Sequence, residues 1–178
     1  AGKADFFVIN ISSPNTPGLR ALQSRQALAG LLYPLVEERA RQSQELGRSI
    51  PILVKLAPDL TDDELDDALE VIQAAGMDGV IVTNTTISRP PLQSRFAAET
   101  GGLSGAPLRA LSLRMVQEVA RRTAGRLPIV ASGGVMCAQD VQARLDAGAV
   151  LVQLYTGLIY EGPGLVKQIL NSRLRFTH

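Results

Sequence analysis

Five short apolar runs, separated by segments with helical spacing, constrain the fold of this chain more than any other feature. The runs lie at residues 6–11, 52–56, 79–82, 129–131 and 150–154. Each is continuous rather than alternating, as expected for strands buried on both faces of a parallel sheet. The alternation of strand and helix predicts an α/β fold with right-handed crossovers, either an open sheet or a barrel.

The intervening segments carry the start and stop signals of helices. The best defined begins with the capping box Thr61–Glu64 and ends at Gly76, which we expect to be a left-handed cap. The region 28–36 also has helical spacing, although Pro34 predicts a kink or a new start there. Gly47 is expected to end that region. The next helix should have Pro107 in its first turn and end at Gly125, and a shorter one should end at Gly148. A last helix is expected over about 164–174.

Composition excludes several function classes. A net charge of +1, with no basic stripe and no Trp, gives nucleic-acid binding no support. The single cysteine, Cys137, cannot form an internal disulfide and is interpreted as a packing residue. The single histidine, His178, is the last residue and is assigned no function. With one cysteine and one histidine, no metal site is expected. No apolar run approaches the roughly 20 residues of a transmembrane helix.

Length narrows the choice of fold. No G-x-G-x-x-G motif follows a strand, so a dinucleotide-binding open sheet lacks its usual signature. An eight-fold barrel usually needs about 250 residues, so 178 residues suit its last five units but not all eight. The chain opens almost at once into a strand, and we therefore expect further sequence upstream.

Every apolar run ends in polar residues or glycine, whereas the opposite ends carry no such pattern. Because the carboxyl ends of parallel strands meet at one edge, these residues predict a single ligand-lined mouth. In chain order they are Asn10, Ser12, Ser13, Asn15 and Thr16; Lys55, Pro58 and Asp59; Thr83, Asn84, Thr85 and Thr86; Ser132, Gly133 and Gly134; and Tyr155, Thr156 and Gly157.

Each of these motifs also has a purely structural interpretation. Ser, Pro and Asn form turns, so residues 13–15 could simply connect a strand to a helix. The pair Gly133–Gly134 allows backbone N–H groups to approach an anion, or makes a plain turn. Lys55 lies in an apolar run and must reach a ligand, pair with Asp59 or extend its amine to solvent. The connection 88–106 is too long for an ordinary loop and suggests a functional one.

Six motifs together resemble dihydroorotate dehydrogenase, in that family's order. They are NISSPNT at 10–16, VKLAPD at 54–59, VTNTT at 82–86, ETGGLSG at 99–105, SGGV at 132–135 and VQLYT at 152–156. Serine at position 13, where class 1 enzymes carry cysteine, resembles the quinone-linked class 2. The resemblance implies a (β/α)8 TIM barrel, with residues 1–178 as strands 4–8 of one FMN-binding domain. It implies oxidation of dihydroorotate to orotate in the biosynthesis of the pyrimidine nucleotide UMP.

The resemblance also implies roles for individual residues. Ser13 would remove the C5 proton while hydride leaves C6 for the flavin, with Thr16 in the proton relay. Lys55 would stabilise the negative charge that develops on the flavin. The implied substrate-binding set is Asn10, Asn15, Asn84 and Thr85. The implied FMN-binding set is Asn10, Lys55, Thr83, Gly105, Gly133, Gly134, Tyr155 and Thr156.

Partners and location follow from the same resemblance. Electrons would pass from FMN to a quinone, and membrane contact would come only through the missing N-terminal region. The implied location is peripheral, on the cytoplasmic side of a bacterial inner membrane or on the inner mitochondrial membrane. Two alternatives remain: a non-catalytic half barrel that binds FMN or phosphate weakly, and a related flavin-dependent dihydropyrimidine or dihydrouridine oxidoreductase. A half barrel would expose strand edges and is expected to be unstable or to self-associate.

Overall fold

The strands form one parallel sheet in which neighbours in sequence are also neighbours in space. The computed structural model describes residues 3–172 and contains a sheet of order β1-β2-β3-β4-β5. The strands are β1 (Phe7–Asn10), β2 (Ile52–Leu56), β3 (Gly79–Val82), β4 (Ile129–Ser132) and β5 (Leu151–Gln153). The order never reverses, and right-handed crossovers then place the connecting helices on one face. This parallel α/β arrangement is that of the TIM-barrel class rather than of a doubly wound sheet.

Six α-helices connect or follow these strands in the described residues. They are α1 (Arg25–Leu46), α2 (Asp62–Ala74), α3 (Arg109–Thr123), α4 (Ala138–Asp146), α5 (Thr156–Glu161) and α6 (Gly164–Asn171). Short 3-10 turns at Leu19–Gln23 and Ala106–Leu108 precede α1 and α3. In residues 3–172, no helix combines the length and the hydropathy needed to cross a membrane.

The helix boundaries confirm the strongest sequence signals. At the start of α2, the Thr61 hydroxyl accepts from the Glu64 N–H at 3.3 Å, and the Glu64 carboxylate accepts from the Thr61 N–H at 2.8 Å. This is the predicted capping box. Gly76 follows α2 with φ 63° and Gly47 follows α1 with φ 66°, both in the left-handed region that glycine adopts most readily.

The helices differ from three expectations. Of the kink or new start predicted at Pro34, the new start was wrong, because α1 runs on through the proline; Gly30, four residues earlier, is exposed, so water can solvate the carbonyl that loses its donor. Pro107 lies in the 3-10 turn before α3 rather than in the helix itself. Thr156, placed in a loop by the sequence, begins the short helix α5. The predicted end of the last helix near residue 174 and His178 both lie outside the described residues.

Burial of the strands depends on their place in the sheet. The central strand β3 is buried at all four residues, as predicted. The expectation of two buried faces was wrong for β1 and β5: Leu151 in β5 is 63% exposed, and β1 has exposed residues at both ends. These two strands lie at the edges of the sheet and have a paired neighbour on one side only.

The two faces of the sheet differ in what they present. On the helix-covered face, Val54, Val80 and Ala131 pack in the main hydrophobic core with residues of α1, α2 and α3. On the opposite face, Asn10 lies in register with Lys55, and Lys55 lies in register with Ile81. Paired residues of a parallel sheet point the same way, so the register places an amide and an amine side by side at the carboxyl edge.

Candidate active site at the carboxyl edge of the sheet

A cleft of about 490 Å³ opens at the carboxyl ends of β2 to β5. The structure brings together there most of the residues assigned by resemblance to FMN, and two of those assigned to the substrate. The FMN-assigned lining residues are Lys55, Thr83, Gly105, Gly133, Gly134, Tyr155 and Thr156, and the substrate-assigned ones are Asn84 and Thr85. Residues that the sequence did not assign to a ligand, among them Ser104, Ser132 and Gln153, line it as well. Ser132 directly follows one predicted strand and Gln153 lies near the end of another, so their positions were a signal that could have found both, whereas Ser104 lies in the long connection and follows no predicted strand.

Lys55 carries the one charge among the described residues that line this cleft. Its side chain is partly buried and forms no ion pair with any residue in the range 3–172. Burial lowers the pKa of the Lys55 amine below its ordinary value, because desolvation disfavours the charged form. The alternative of a salt bridge from Lys55 to Asp59 was wrong, since the Asp59 carboxylate is bound by Arg20 at 2.9 Å.

Beside the cleft, Asn10, Ser12 and Asn84 form a hydrogen-bonded group that we call the amide cluster. The Asn84 amide nitrogen donates to Asn10 Oδ1 at 3.2 Å and to Ser12 Oγ at 3.0 Å. Ser12 Oγ in turn donates to Asn10 Oδ1 at 3.0 Å. The side-chain oxygen of Asn84, Oδ1, accepts from the Thr85 N–H at 2.8 Å. The cluster joins the loops after β1 and β3 across the end of β2, and each amide is held in one orientation.

The sequence assigned no ligand to Ser12, although Ser12 is wholly buried and forms the centre of this cluster. Ser13, its neighbour in the same motif, is partly buried, and its hydroxyl accepts from the Asn15 N–H at 3.3 Å. The two serines are indistinguishable in the sequence motif. Their burial distinguishes them: Ser12 is a buried structural residue, and Ser13 is a more exposed residue at the mouth.

Asn15 and Thr16 are exposed and lie apart from the amide cluster. Asn15 Oδ1 instead faces the long connection, 3.3 Å from the position that a Cβ on Gly101 would take. Among the described residues, no hydrogen bond joins the Ser13 and Thr16 hydroxyls. The structure therefore joins Asn10 and Asn84 by a hydrogen bond, whereas Asn15 faces Gly101 of the long connection.

The long connection between β3 and α3 lies back over this mouth. Thr86 and Leu103 exchange backbone hydrogen bonds of 3.0 and 2.8 Å. Gly102 approaches so closely that a Cβ there would lie 1.8 Å from Thr85 Oγ1, so only glycine fits. Further along, the Thr156 hydroxyl donates to Ser104 Oγ at 2.9 Å. The connection is thus fixed both to the loop after β3 and to the start of α5.

Arg20 and Asp59 tie the first three loops together. Arg20 donates to the Ser12 carbonyl at 3.0 Å and to the Thr85 carbonyl at 2.8 Å, as well as to Asp59. Asp59 also accepts from the Thr86 hydroxyl and from a backbone N–H in the loop after β3. No sequence motif marked Arg20, because its three partners come from residues 8, 39 and 65 positions away.

At the other end of the cleft, Gly133 and Gly134 form what we call the glycine loop, with φ of 102° and 69°. A Cβ on Gly134 would lie 2.3 Å from the Arg109 Cα, so close packing on α3 requires glycine here. The loop leads to Cys137, the N-cap of α4, whose thiol donates to Asp140 at 3.4 Å. Cys137 therefore has a polar partner, contrary to the interpretation as packing alone. Residues 3–172 contain no group of three or more His, Cys, Asp and Glu side chains arranged to hold a metal.

Comparison with known proteins identifies relatives for this arrangement. A family model described as dihydroorotate dehydrogenase matches residues 2–175. Dihydroorotate dehydrogenase (quinone) of Anaeromyxobacter dehalogenans is 53% identical over 167 residues, covering 93% of this chain and 45% of that protein. The protein of the same name from Sphingopyxis alaskensis is 49% identical over 166 residues, with the same two coverages of 93% and 45%.

Solved structures give the same result. The crystal structure of DHODH in complex with ferulenol from Eimeria tenella superposes with a TM-score of 0.89 at 41% identity, covering 94% of this chain and 48% of that one. The ligand-free DHODH of the same organism gives a TM-score of 0.86 at 42% identity, covering 94% and 50%. The chain spans about half the length of the curated relatives that it matches.

Proposed function

The chain belongs to the dihydroorotate dehydrogenase family, and we propose that it forms the last five β/α units of a barrel that oxidises dihydroorotate to orotate. The observation that carries this proposal is the cleft at the carboxyl edge, with Lys55 as its one charge and amides, hydroxyls and glycines around it. The family uses a flavin, and we propose FMN as the cofactor and a quinone as the final electron acceptor.

The described residues fit an anionic flavin nucleotide. The cleft volume falls in the range of about 300–1,000 Å³ that is usual for ligand pockets. Its lining contains an amine with no carboxylate partner, and this arrangement favours a ligand with negative charge. Lys55, Thr83 and Gly105 would hold the ring system. The glycine loop, Tyr155 and Thr156 would hold the phosphate through N–H and hydroxyl groups.

The residues of the chain would divide the chemistry between them. FMN, when bound, supplies the acceptor for a hydride. Lys55 would oppose negative charge that develops next to its amine, an effect strengthened in a partly buried site. Asn10, Asn84 and Thr85 would orient the pyrimidine ring, because neutral amides and hydroxyls supply both donors and acceptors to a ring of carbonyl and N–H groups.

Proton removal would fall to Ser13 at the mouth of the cleft. A serine hydroxyl is a weak base and needs a group that accepts its proton in turn. Thr16 is the proposed relay, and Asn15 the proposed outer contact to the substrate. Both lie in the exposed part of the loop after β1, so this part of the site would be completed by the substrate itself.

The proposed location rests on the proposed acceptor. Quinones dissolve in lipid, so we propose a peripheral association with the cytoplasmic side of a bacterial inner membrane or with the inner mitochondrial membrane. The contact would come from a part of the protein other than these residues. Support comes from the word quinone in the names of the relatives.

An anaerobic absorption titration tests the proposed function. The chain is mixed with FMN, desalted and then titrated with dihydroorotate, with dihydrouracil as the matched control. We expect a retained flavin band that dihydroorotate bleaches and dihydrouracil does not. A colourless protein after desalting would favour the non-catalytic half barrel. Bleaching by dihydrouracil in preference to dihydroorotate would favour a related dihydropyrimidine oxidoreductase.

A further inference from the structure

A wholly buried arginine lies behind the glycine loop. Arg144, on α4, is 0% exposed. One terminal nitrogen of its guanidinium donates to the Gly133 carbonyl at 2.7 Å and to Ser112 Oγ at 2.9 Å; the other donates to the Asp140 carbonyl at 2.8 Å. Its Nε is buried and finds no acceptor among the described residues. A buried cation with an unpaired donor costs folding free energy, so packing alone does not explain its presence.

The hydrogen bonds to Gly133 fix the orientation of one peptide group. The Gly133 carbonyl accepts from Arg144 and also from Ser112 Oγ, both at 2.7 Å. In a planar trans peptide, the N–H points opposite to the C=O. Because the carbonyl is directed at α3 and α4, the Gly134 N–H is directed away from them, towards the cleft that both glycines line.

The charges behind the loop do not cancel. Asp140 pairs with Arg109, whose Nε lies 2.9 Å from Asp140 Oδ1, and it also accepts from the Met136 N–H at 2.9 Å. Arg144 binds the backbone carbonyl of Asp140 rather than its carboxylate. Two guanidinium groups therefore face one carboxylate, and an excess positive charge remains behind the glycine loop. A buried charge is screened weakly and acts on a ligand across the loop.

We propose that Arg144 is a positioning residue for the phosphate group of the cofactor. It holds the Gly133–Gly134 peptide with its N–H towards the cleft, and it places a positive charge behind the loop without touching the ligand. This inference rests on the proposed function, since the phosphate is that of FMN. It assigns the phosphate preference to a residue of α4 that does not line the cleft.

The test compares a flavin with and without its phosphate. Dissociation constants for FMN and for riboflavin are measured by flavin fluorescence for the wild-type chain, for Arg144→Met and for Arg144→Lys. Arg121→Met is the matched control: it removes the same charge at the far end of α3, where Arg121 is exposed and paired with Glu118. Circular dichroism verifies that each variant is folded.

We expect Arg144→Met to weaken FMN binding by about tenfold and riboflavin binding by less than about twofold, because only FMN carries the anion. Arg144→Lys keeps the charge but not the fork of donors, so its FMN affinity should fall between those of the wild type and Arg144→Met. Arg121→Met should change neither constant. Equal losses for both flavins, or none for FMN, would overturn the proposal. If Arg144→Met does not fold, Ser112→Ala, which removes the other donor to the Gly133 carbonyl, should reduce FMN affinity alone.

Failure of the proposed function would look different. A wild-type chain that binds neither flavin would contradict the FMN proposal itself. The same variants are then titrated with inorganic phosphate and followed by phosphorus NMR line width. Broadening with the wild type and with Arg121→Met, but not with Arg144→Met, would support the role of Arg144. Identical spectra for all three would overturn it.

Discussion

The two ends of the cleft are built by different means. At one end, the amide cluster presents side chains that are already bonded to each other, with Asn84 linking Asn10 and Ser12. At the other end, the glycine loop presents backbone groups, and a buried Arg144 holds them from behind. Side-chain donors and acceptors suit a ring of carbonyl and N–H groups, whereas backbone N–H groups beside a positive charge suit an anion. This difference supports the proposal that a ring system binds at one end and a phosphate at the other.

The largest expected effect separates proton transfer from cofactor binding. Ser13→Ala should lower the rate of dihydroorotate oxidation by about 10³-fold, since general-base catalysis contributes about 10²–10⁴-fold. FMN affinity should stay unchanged, because Ser13 lies outside the cleft lining. Steady-state kinetics and a flavin titration measure the two quantities. Ser43→Ala on α1, where the hydroxyl bonds only to the helix backbone, is the control; a near-normal rate for Ser13→Ala would remove Ser13 from the mechanism.

Lys55 lies between the two ends, and its replacement sharpens the comparison. Lys55→Met should lower the rate by about 10²-fold, as expected for the loss of one group that stabilises developing charge. The KM for dihydroorotate should change much less, because the amide cluster remains intact. Stopped-flow measurement of flavin reduction isolates this step. A variant whose reduction rate matches the wild type would show that the amine has no part in it.

The pH dependence of stability gives a second test of Lys55. Burial lowers the pKa of its amine in the folded chain, so between that lowered value and the ordinary 10.5 the unfolded chain binds more protons. The free energy of unfolding should therefore rise with pH across this window on account of Lys55. Below the lowered pKa the Lys55 amine is charged in both states, and its burial lowers the free energy of unfolding by the full amount. Urea unfolding of the wild type and of Lys55→Met should show a gain for the variant at pH 7 that disappears above pH 10.5; a gain independent of pH would contradict this explanation.

The ion pair Arg20–Asp59 tests how far the amide-cluster end of the cleft depends on the residues that hold its loops together. Arg20→Met should lower the free energy of unfolding by about 2 kcal/mol, because a mostly buried carboxylate loses its cation but keeps two other donors. A double-mutant cycle with Asp59→Asn should give a coupling of about 1–3 kcal/mol. KM for dihydroorotate should rise, whereas FMN affinity should not. A coupling near zero would show that the two residues act independently.

The smallest expected effect comes from a substitution in α2, away from both ends of the cleft, and serves as a baseline. Thr61→Ala removes one half of the capping box of α2 and should lower the free energy of unfolding by about 1 kcal/mol. Neither flavin affinity nor the oxidation rate should change. Urea denaturation at pH 7 measures the difference. A loss of activity larger than the loss of stability would mean that α2 supports the cleft more closely than its contacts indicate.

Sequence patterns predicted the features that depend on neighbouring residues. The five strands, the capping box at Thr61 and the left-handed Gly76 were all found, because each is encoded within a few positions. The motifs at the strand ends also predicted that Asn10, Lys55 and Asn84 belong to one edge. Parallel strands bring such residues together whatever the details of packing.

The missed features depend on contacts between distant residues. Arg20 joins loops up to 65 positions away, and Arg144 of α4 bonds both to the Gly133 carbonyl and to Ser112 of α3, 32 positions away. Neither arginine lies in a motif, so the sequence predicts only an ordinary surface residue at each position. Burial of the edge strands was overestimated for a related reason, since an apolar run does not show whether a strand has one neighbour or two.

Hydrogen–deuterium exchange with and without FMN tests most directly whether the carboxyl edge is one cofactor site. We predict slower exchange at residues 83–85 and 132–135, which line the cleft at the ends of β3 and β4. Residues 49–51 and 126–128, at the opposite edge of the sheet, should exchange at the same rate in both samples. Slower exchange at that opposite edge, with no change at residues 83–85 and 132–135, would contradict a cofactor site at the carboxyl edge, since FMN would then bind elsewhere on the chain.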